Sequence, residues 1–293
     1  MSLVPHATEL LFALGLGDQV VGVTHECDYP DEARDLPQVT RDVLEPSLAP
    51  GEIDAAVRAR TQAGESIYEL DEELVRELEP DLVVTQALCH VCAVSVDEVR
   101  ALAQTLPGPP RVIALDPTTY GETVGDVRTI AQATNSKDAA LDLIARTARR
   151  ADVVRLAVRG APRPRVAALE WLDPVFIAGH WTPQLIEMAG GEDVLGFAGE
   201  PSRQTTWAEV AAVQPEVVIV MPCGYDAARA LVEAEEFGPR LRELGADHVV
   251  AVNASAYFSR PGPRLIDGLE LLAHILHPDR APQAPAEALA VEL

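Results

Sequence analysis

"LVRELEPDLVVTQALC" (74–89) and "AEVAAVQPEVVIVMPC" (208–223) follow one plan: the end of a helix, a Pro, an acidic residue, an apolar run, a short loop and a Cys. An apolar run of this length, entered from a helix and left through a loop, reads as a strand of a βα unit. Further along, "RVIALDPTTY" (111–120) is echoed by "HVVAVNASAY" (248–257). The pairs Pro80/Pro215, Asp116/Asn253 and Tyr120/Tyr257 are offset by 135 to 137 residues. Two separate blocks sharing nearly one offset predict two similar α/β lobes, Rossmann-like, with mainly parallel sheets.

Between the repeats lies "SKDAALDLIARTARRADVVRLAVRG" (136–160), uninterrupted by Pro or internal Gly. Ser136 can cap its start and Gly160 can stop it, so the spacing predicts one backbone helix over 136–159. At 1.5 Å per residue it would span roughly 36 Å, a length suited to a strut joining lobes. The predicted organisation is an N-terminal lobe over 1–120, connecting helices over 121–160 and a C-terminal lobe over 161–277. The Pro- and Ala-rich stretch 278–293 is expected to be a loose tail.

Composition narrows the function. The net charge is −23 and Lys137 is the only lysine, a balance that repels nucleic acid and anionic membranes. No apolar run approaches the roughly 20 residues of a membrane-spanning helix. Nor does a basic start lead into an apolar run with a cleavage site. The chain as written is therefore expected to be cytoplasmic, or extracytoplasmic if a leader has been removed. A monomer without membrane insertion is expected.

In open α/β sheets, ligands bind beyond the carboxyl ends of the strands. The unusual residues collect there: Pro5 and His6; His25, Cys27 and Tyr29 in "THECDYP" (24–30); Gln86, Cys89, His90 and Cys92 in "TQALCHVCAV" (85–94). From the second half come Trp171, then His180 and Trp181 in "FIAGHWTP", Cys223 in "PCGY", and Tyr257, Phe258 and Arg260 in "ASAYFSRPGPR". All four cysteines fall just past strand ends, so they are expected to face a cleft shared by the lobes.

Three readings of the sulfur set stand. Ligand-lining thiols come first. A metal or haem site follows, with Cys27, Cys89, Cys92, Cys223 and His180 as candidate soft ligands. Redox chemistry by Cys89 and Cys92 is third, because a thioredoxin-type C-x-x-C opens a helix and here the next helix starts near Ser95. A closed structural zinc site lacks a second Cys pair. No P-loop and no G-x-S-x-G motif occurs. The carboxylates Glu26, Asp28, Glu170 and Asp173 lie in the same loops without a spacing that fixes a role.

These residues carry a likeness. "SLVPHATELLFALGLGDQVVGV", "CDYPDEA", "ELEPDLVVT", "FIAGHWTPQLIEMAGGEDVL" and "AYFSRPGPRLIDGLELLAHIL" together resemble the substrate-binding proteins of ABC importers for cobalamin and iron–siderophore complexes. The resemblance covers about residues 1–277 and is nearest to the cobalamin-binding branch. It implies a rigid helical backbone, a ligand gripped between lobes with little hinge motion, and no catalysis. It places Tyr29 where a family aromatic packs on the corrin ring, Phe258 and Arg260 in a closing loop, and Pro5 and His6 beneath the ligand. It also places Glu72 or Glu73, and Glu209, near the acidic residues that dock on a permease. The chain departs from the pattern in the Gln86–Cys92 loop, in Ala256 where an acidic residue stands, and in a longer 41–68 segment.

The expected function is to bind cobalamin or a related metal chelate as the cargo of an ABC importer, with no cofactor required. The alternatives are a thiol- and imidazole-based carrier or sensor of metal, haem or siderophore, and an enzyme using a cleft cysteine.

Overall fold

The structure, a computed structural model, describes residues 1–44, 50–63, 65–87, 94–284 and 288–292. The chain forms two compact units: Met1–Pro117 with Gly125–Leu143, and Thr118–Val124 with Ile144–Leu293.

In the first unit, residues 1–4 run beside Val84, where Ser2 makes a single parallel bridge, and then turn into α1 (Pro5–Ala13). Pro5 takes the first helical position, where its missing N–H leaves no bond unmade. The early start of this helix limits the expected first strand to one bridge. The stretch that follows likewise makes one bridge, Val23 with Gln38. A short antiparallel pair comes next, β1 (Thr40–Asp42) and β2 (Tyr68–Leu70), joined by a connection that contains α2 (Pro50–Gln62). Then come α3 (Glu72–Leu78), β3 (Leu82–Gln86), α4 (Val96–Thr105) and β4 (Arg111–Leu115), with β3 and β4 parallel. Ser95 caps α4 by accepting from the Asp97 N–H. Val4, Ala7, Leu10, Leu11, Val84, Leu115 and Ile130 form the core around α1.

Helix α5 (Tyr120–Thr134) leads to α6 (Lys137–Ala157), a helix of 21 residues in the predicted place, with Gly160 at φ 69° just beyond it. Glycine adopts that left-handed geometry without a Cβ penalty.

The second unit contains β5 (Arg165–Leu172), β6 (Val175–Ile177), α7 (Thr182–Met188), β7 (Glu192–Asp193), β8 (Arg203–Gln204), α8 (Trp207–Ala212) and β9 (Val217–Val220). It continues with α9 (Ala227–Glu236), α10 (Gly238–Glu243), β10 (His248–Val252), α11 (Ala254–Tyr257), α12 (Leu265–Leu276) and β11 (Ala288–Ala290). The sheet order is β11-β10-β9-β5-β6-β8, with β7 paired to β5. Here the parallel pairing expected from the sequence is present, and antiparallel strands join it to make a mixed sheet. Strands β10, β9, β5 and β7 pair in parallel, whereas β6, β8 and β11 join antiparallel. The two-residue Asp173-Pro174 turn sends β6 straight back along β5, which permits only antiparallel pairing.

One correction concerns the tail. Residues 288–290 add a strand to the edge of β10, and Val291 is buried in the core of the second unit. The Pro and Ala content that suggests a loose end leaves "ALAV" able to supply ladder bonds and an apolar contact.

The repeat seen in the sequence is a repeat of structure. Asp71 caps α3 and Thr206 caps α8; Glu79 and Gln214 end those stretches in left-handed geometry at φ 41° and 46°. The strands that follow start at Leu82 and Val217, and their partners align as Leu82 with Arg111 and Val217 with His248.

Candidate ligand-binding site

In the first unit, the 24–30 loop leaves the Val23 bridge and is tied down residue by residue. The Thr40 hydroxyl accepts the His25 backbone N–H at 3.2 Å and sits 2.8 Å from the imidazole Nδ1. The Tyr68 phenol donates to Glu26 Oε1 at 2.9 Å, and its ring lies 5.3 Å from that of His25. The Cys27 sulfur is 3.0 Å from the Thr8 hydroxyl and 3.1 Å from that of Thr24. Past these anchors Tyr29 projects outward with 47% of its surface exposed, unusual for a ring that size.

Cys27 is only 2% exposed and packs in the core around α1. Its expected place on a ligand surface is therefore corrected: the thiol acts as a small buried group bonded to two hydroxyls. His6 is buried one residue into α1, Pro5 is half-buried before it, and Gln86 is buried at the end of β3. Cys89, His90 and Cys92 lie outside the described residues.

In the second unit, the Trp181 indole N–H donates to the Phe258 carbonyl at 2.7 Å, and both rings are buried. These two aromatics hold the 254–264 loop against the start of α7 rather than forming an exposed rim, a further correction. A buried indole must find an acceptor, and the backbone carbonyl provides one. The Gly-His-Trp motif proves to be a tight corner. A Cβ on Gly179 would strike the backbone of Glu200, Pro201 and Ser202, and His180 stands at φ 53° with its N–H on the Glu200 carbonyl.

Five expected residues remain at least partly accessible here: Trp171, His180, Tyr257 and Arg260 are half-buried, and Cys223 is exposed. Trp171 meets Tyr225 edge-on at 5.5 Å, and the Arg229 guanidinium covers the other ring at 3.7 Å. Arg264 lies 5.9 Å from the Tyr257 ring. Cys223 donates its N–H to the Glu170 carbonyl at 3.2 Å.

Glu170 occupies the irregularity where the β5–β6 register shifts between Leu169 and Trp171. Such a bulge re-aims a side chain. Burial pushes its carboxyl up to about 7, opposed by a hydrogen bond from Ser202. The sequence marks Glu170 only as one carboxylate among several.

The acidic docking candidates are exposed. Glu72 and Glu73 lie in the first turn of α3, where Glu72 pairs with Arg76. Glu209 completes the capping box of α8, and hydrogen bonds from Thr205 and Thr206 hold its carboxyl below the usual range. Among the described residues no three His, Cys, Asp or Glu side chains form a group able to hold a metal ion. No helix among them is long and apolar enough to cross a membrane.

Tyr68 and Thr40 escaped the sequence reading. Their only signal is that they flank or end the segment longer than its family equivalent.

The model of one protein family, described as periplasmic binding protein, matches residues 2–244. The chain belongs to the periplasmic binding protein family. Membership assigns it a role in binding a substrate rather than in catalysis. This family member is similar to the vitamin B12-binding protein of Vibrio cholerae serotype O1, with 24% identity over 286 residues, covering 92% of this chain and 86% of that protein. Its fold is similar to that of a periplasmic haem-binding protein from Pseudomonas aeruginosa, with a TM-score of 0.73, 18% identity, and coverage of 100% and 97% of the two chains. It is also similar to the solved periplasmic vitamin B12-binding protein of Vibrio cholerae, with a TM-score of 0.67, 22% identity and 94% of each chain covered.

Proposed function

We propose that this periplasmic binding protein carries a large metal chelate, cobalamin or a related corrinoid or tetrapyrrole, for an ABC importer. The observation that supports this most is that the likeness to vitamin B12-binding relatives runs through both units rather than one. The accessible groups suit such a ligand: the Tyr29 ring for stacking in the first unit, and Trp171, Tyr257 and Arg260 in the second. His25, His180 and Cys223 are the donors nearest the same loops. Glu72, Glu73 and Glu209 are the proposed contacts with the permease, and residence outside the cytoplasmic membrane follows from that role.

Titration of the purified protein with cyanocobalamin and with haemin, followed by absorbance and calorimetry, tests the reading. Saturable binding of one equivalent, with a shifted band and a micromolar or tighter Kd, is expected for one of them. No shift and no heat with either would overturn it.

A further inference from the structure

We propose that the β1–β2 pair is a clamp that presets the 24–30 loop, with Tyr68 as its positioning residue. This deepens the binding role above and rests on reading the loop as a ligand contact.

Cross-strand register brings the clamp together. Thr40 pairs with Leu70 and Asp42 with Tyr68, so these four residues share one face of the pair. From that face Thr40 holds the His25 backbone and imidazole, while Tyr68 holds the Glu26 carboxylate and packs on His25. From α1, Thr8 holds the next residue, Cys27. Three consecutive residues are thus anchored from three elements, β1, β2 and α1, and Tyr29 is presented beyond the last of them.

The strands are also tied to the backbone just before the loop and just after β2. Val39 donates to the Val23 carbonyl and Asp71 to the Val39 carbonyl, both close to 2.9 Å. These bonds add a backbone footing to the side-chain anchors of the clamp. Fixing a backbone residue costs conformational entropy. A loop ordered before the ligand arrives avoids that cost at the binding step. Tyr68 need not touch the ligand for this, which separates it from Tyr29.

The test compares wild type with Tyr68→Phe, Tyr68→Ala and Thr40→Val. Amide hydrogen exchange over residues 24–29 is followed in ligand-free protein, and Kd is measured with cyanocobalamin and haemin. In Tyr68→Ala, exchange over 24–29 is expected to rise about tenfold and Kd to weaken five- to tenfold, with the midpoint of global unfolding little changed. Tyr68→Phe retains the ring and loses the donor, so it should fall between wild type and alanine in both readings. Unchanged exchange in Tyr68→Ala would overturn the clamp, as would faster exchange with an unaltered Kd. Should wild type bind neither probe, the ligand reading fails and exchange alone decides the clamp. Should Tyr68→Ala not fold, Tyr68→Phe and the near-isosteric Thr40→Val carry the same comparison.

Discussion

Glu170, within β5, couples folding stability to pH. Its carboxyl is raised from the ordinary 4.5 to about 7, chiefly by burial, so the folded protein holds the proton more tightly than the unfolded chain. The sign follows by linkage: the stabilisation from that proton is complete below pH 4.5 and disappears as pH rises through 7. Glu233 in α9, also raised to about 7 by burial, acts in the same direction. Chemical denaturation at pH 5 and pH 8 should therefore show wild type losing about 2–3 kcal/mol more than Glu170→Gln between the two. Equal losses would show that the carboxyl titrates in the ordinary range. At this scale the sequence was only partly legible. It placed Trp181 and Phe258 past strand ends, and they are there, whereas His25 and Cys27 follow only the single Val23 bridge. Position along the chain does not say which way a side chain turns, and the inward turn of Cys27 depends on hydroxyls from Thr8 and Thr24.

Helix α12 follows the 254–264 loop and buries Leu265, Ile266, Leu269, Leu271, Leu272 and Leu276, each contributing roughly 1.5–3 kcal/mol. Arg150 on α6 ties this helix down, donating to Asp267 at 2.5 Å and to both oxygens of Glu270 at 2.6 and 2.8 Å. Hydrogen bonding to Glu270, then to Asp267, holds the guanidinium above its ordinary range despite burial. Arg150→Met would leave two neighbouring carboxylates without that partner. The cost should be about 1–2 kcal/mol by thermal unfolding, below that of a fully buried pair because the guanidinium is 39% exposed. A change within error would mean the three charges are effectively solvated. Elements were the most legible part of the chain. Ser95, Gly160 and the 3.6-residue period gave α4 and α6, since caps and amphipathic spacing are local signals. The β1–β2 pair and β11 were missed, because a three-residue strand exists only through its partner.

For the molecule as a whole, the offset of 135 to 137 residues carried the most information. It aligns caps, left-handed helix ends and strand register in the two units, which composition alone does not reveal. Ligand identity was less legible, because the groups proposed to meet the ligand, such as Tyr29, Trp171 and Arg260, are single side chains whose exposure no local pattern reveals. Amide hydrogen exchange with and without saturating cyanocobalamin, or haemin if only that binds, tests the proposal that one ligand engages loops of both units. Protection is expected in residues 24–30 and, with the same saturation midpoint, in 222–225 and 254–264. Protection confined to one unit would contradict it.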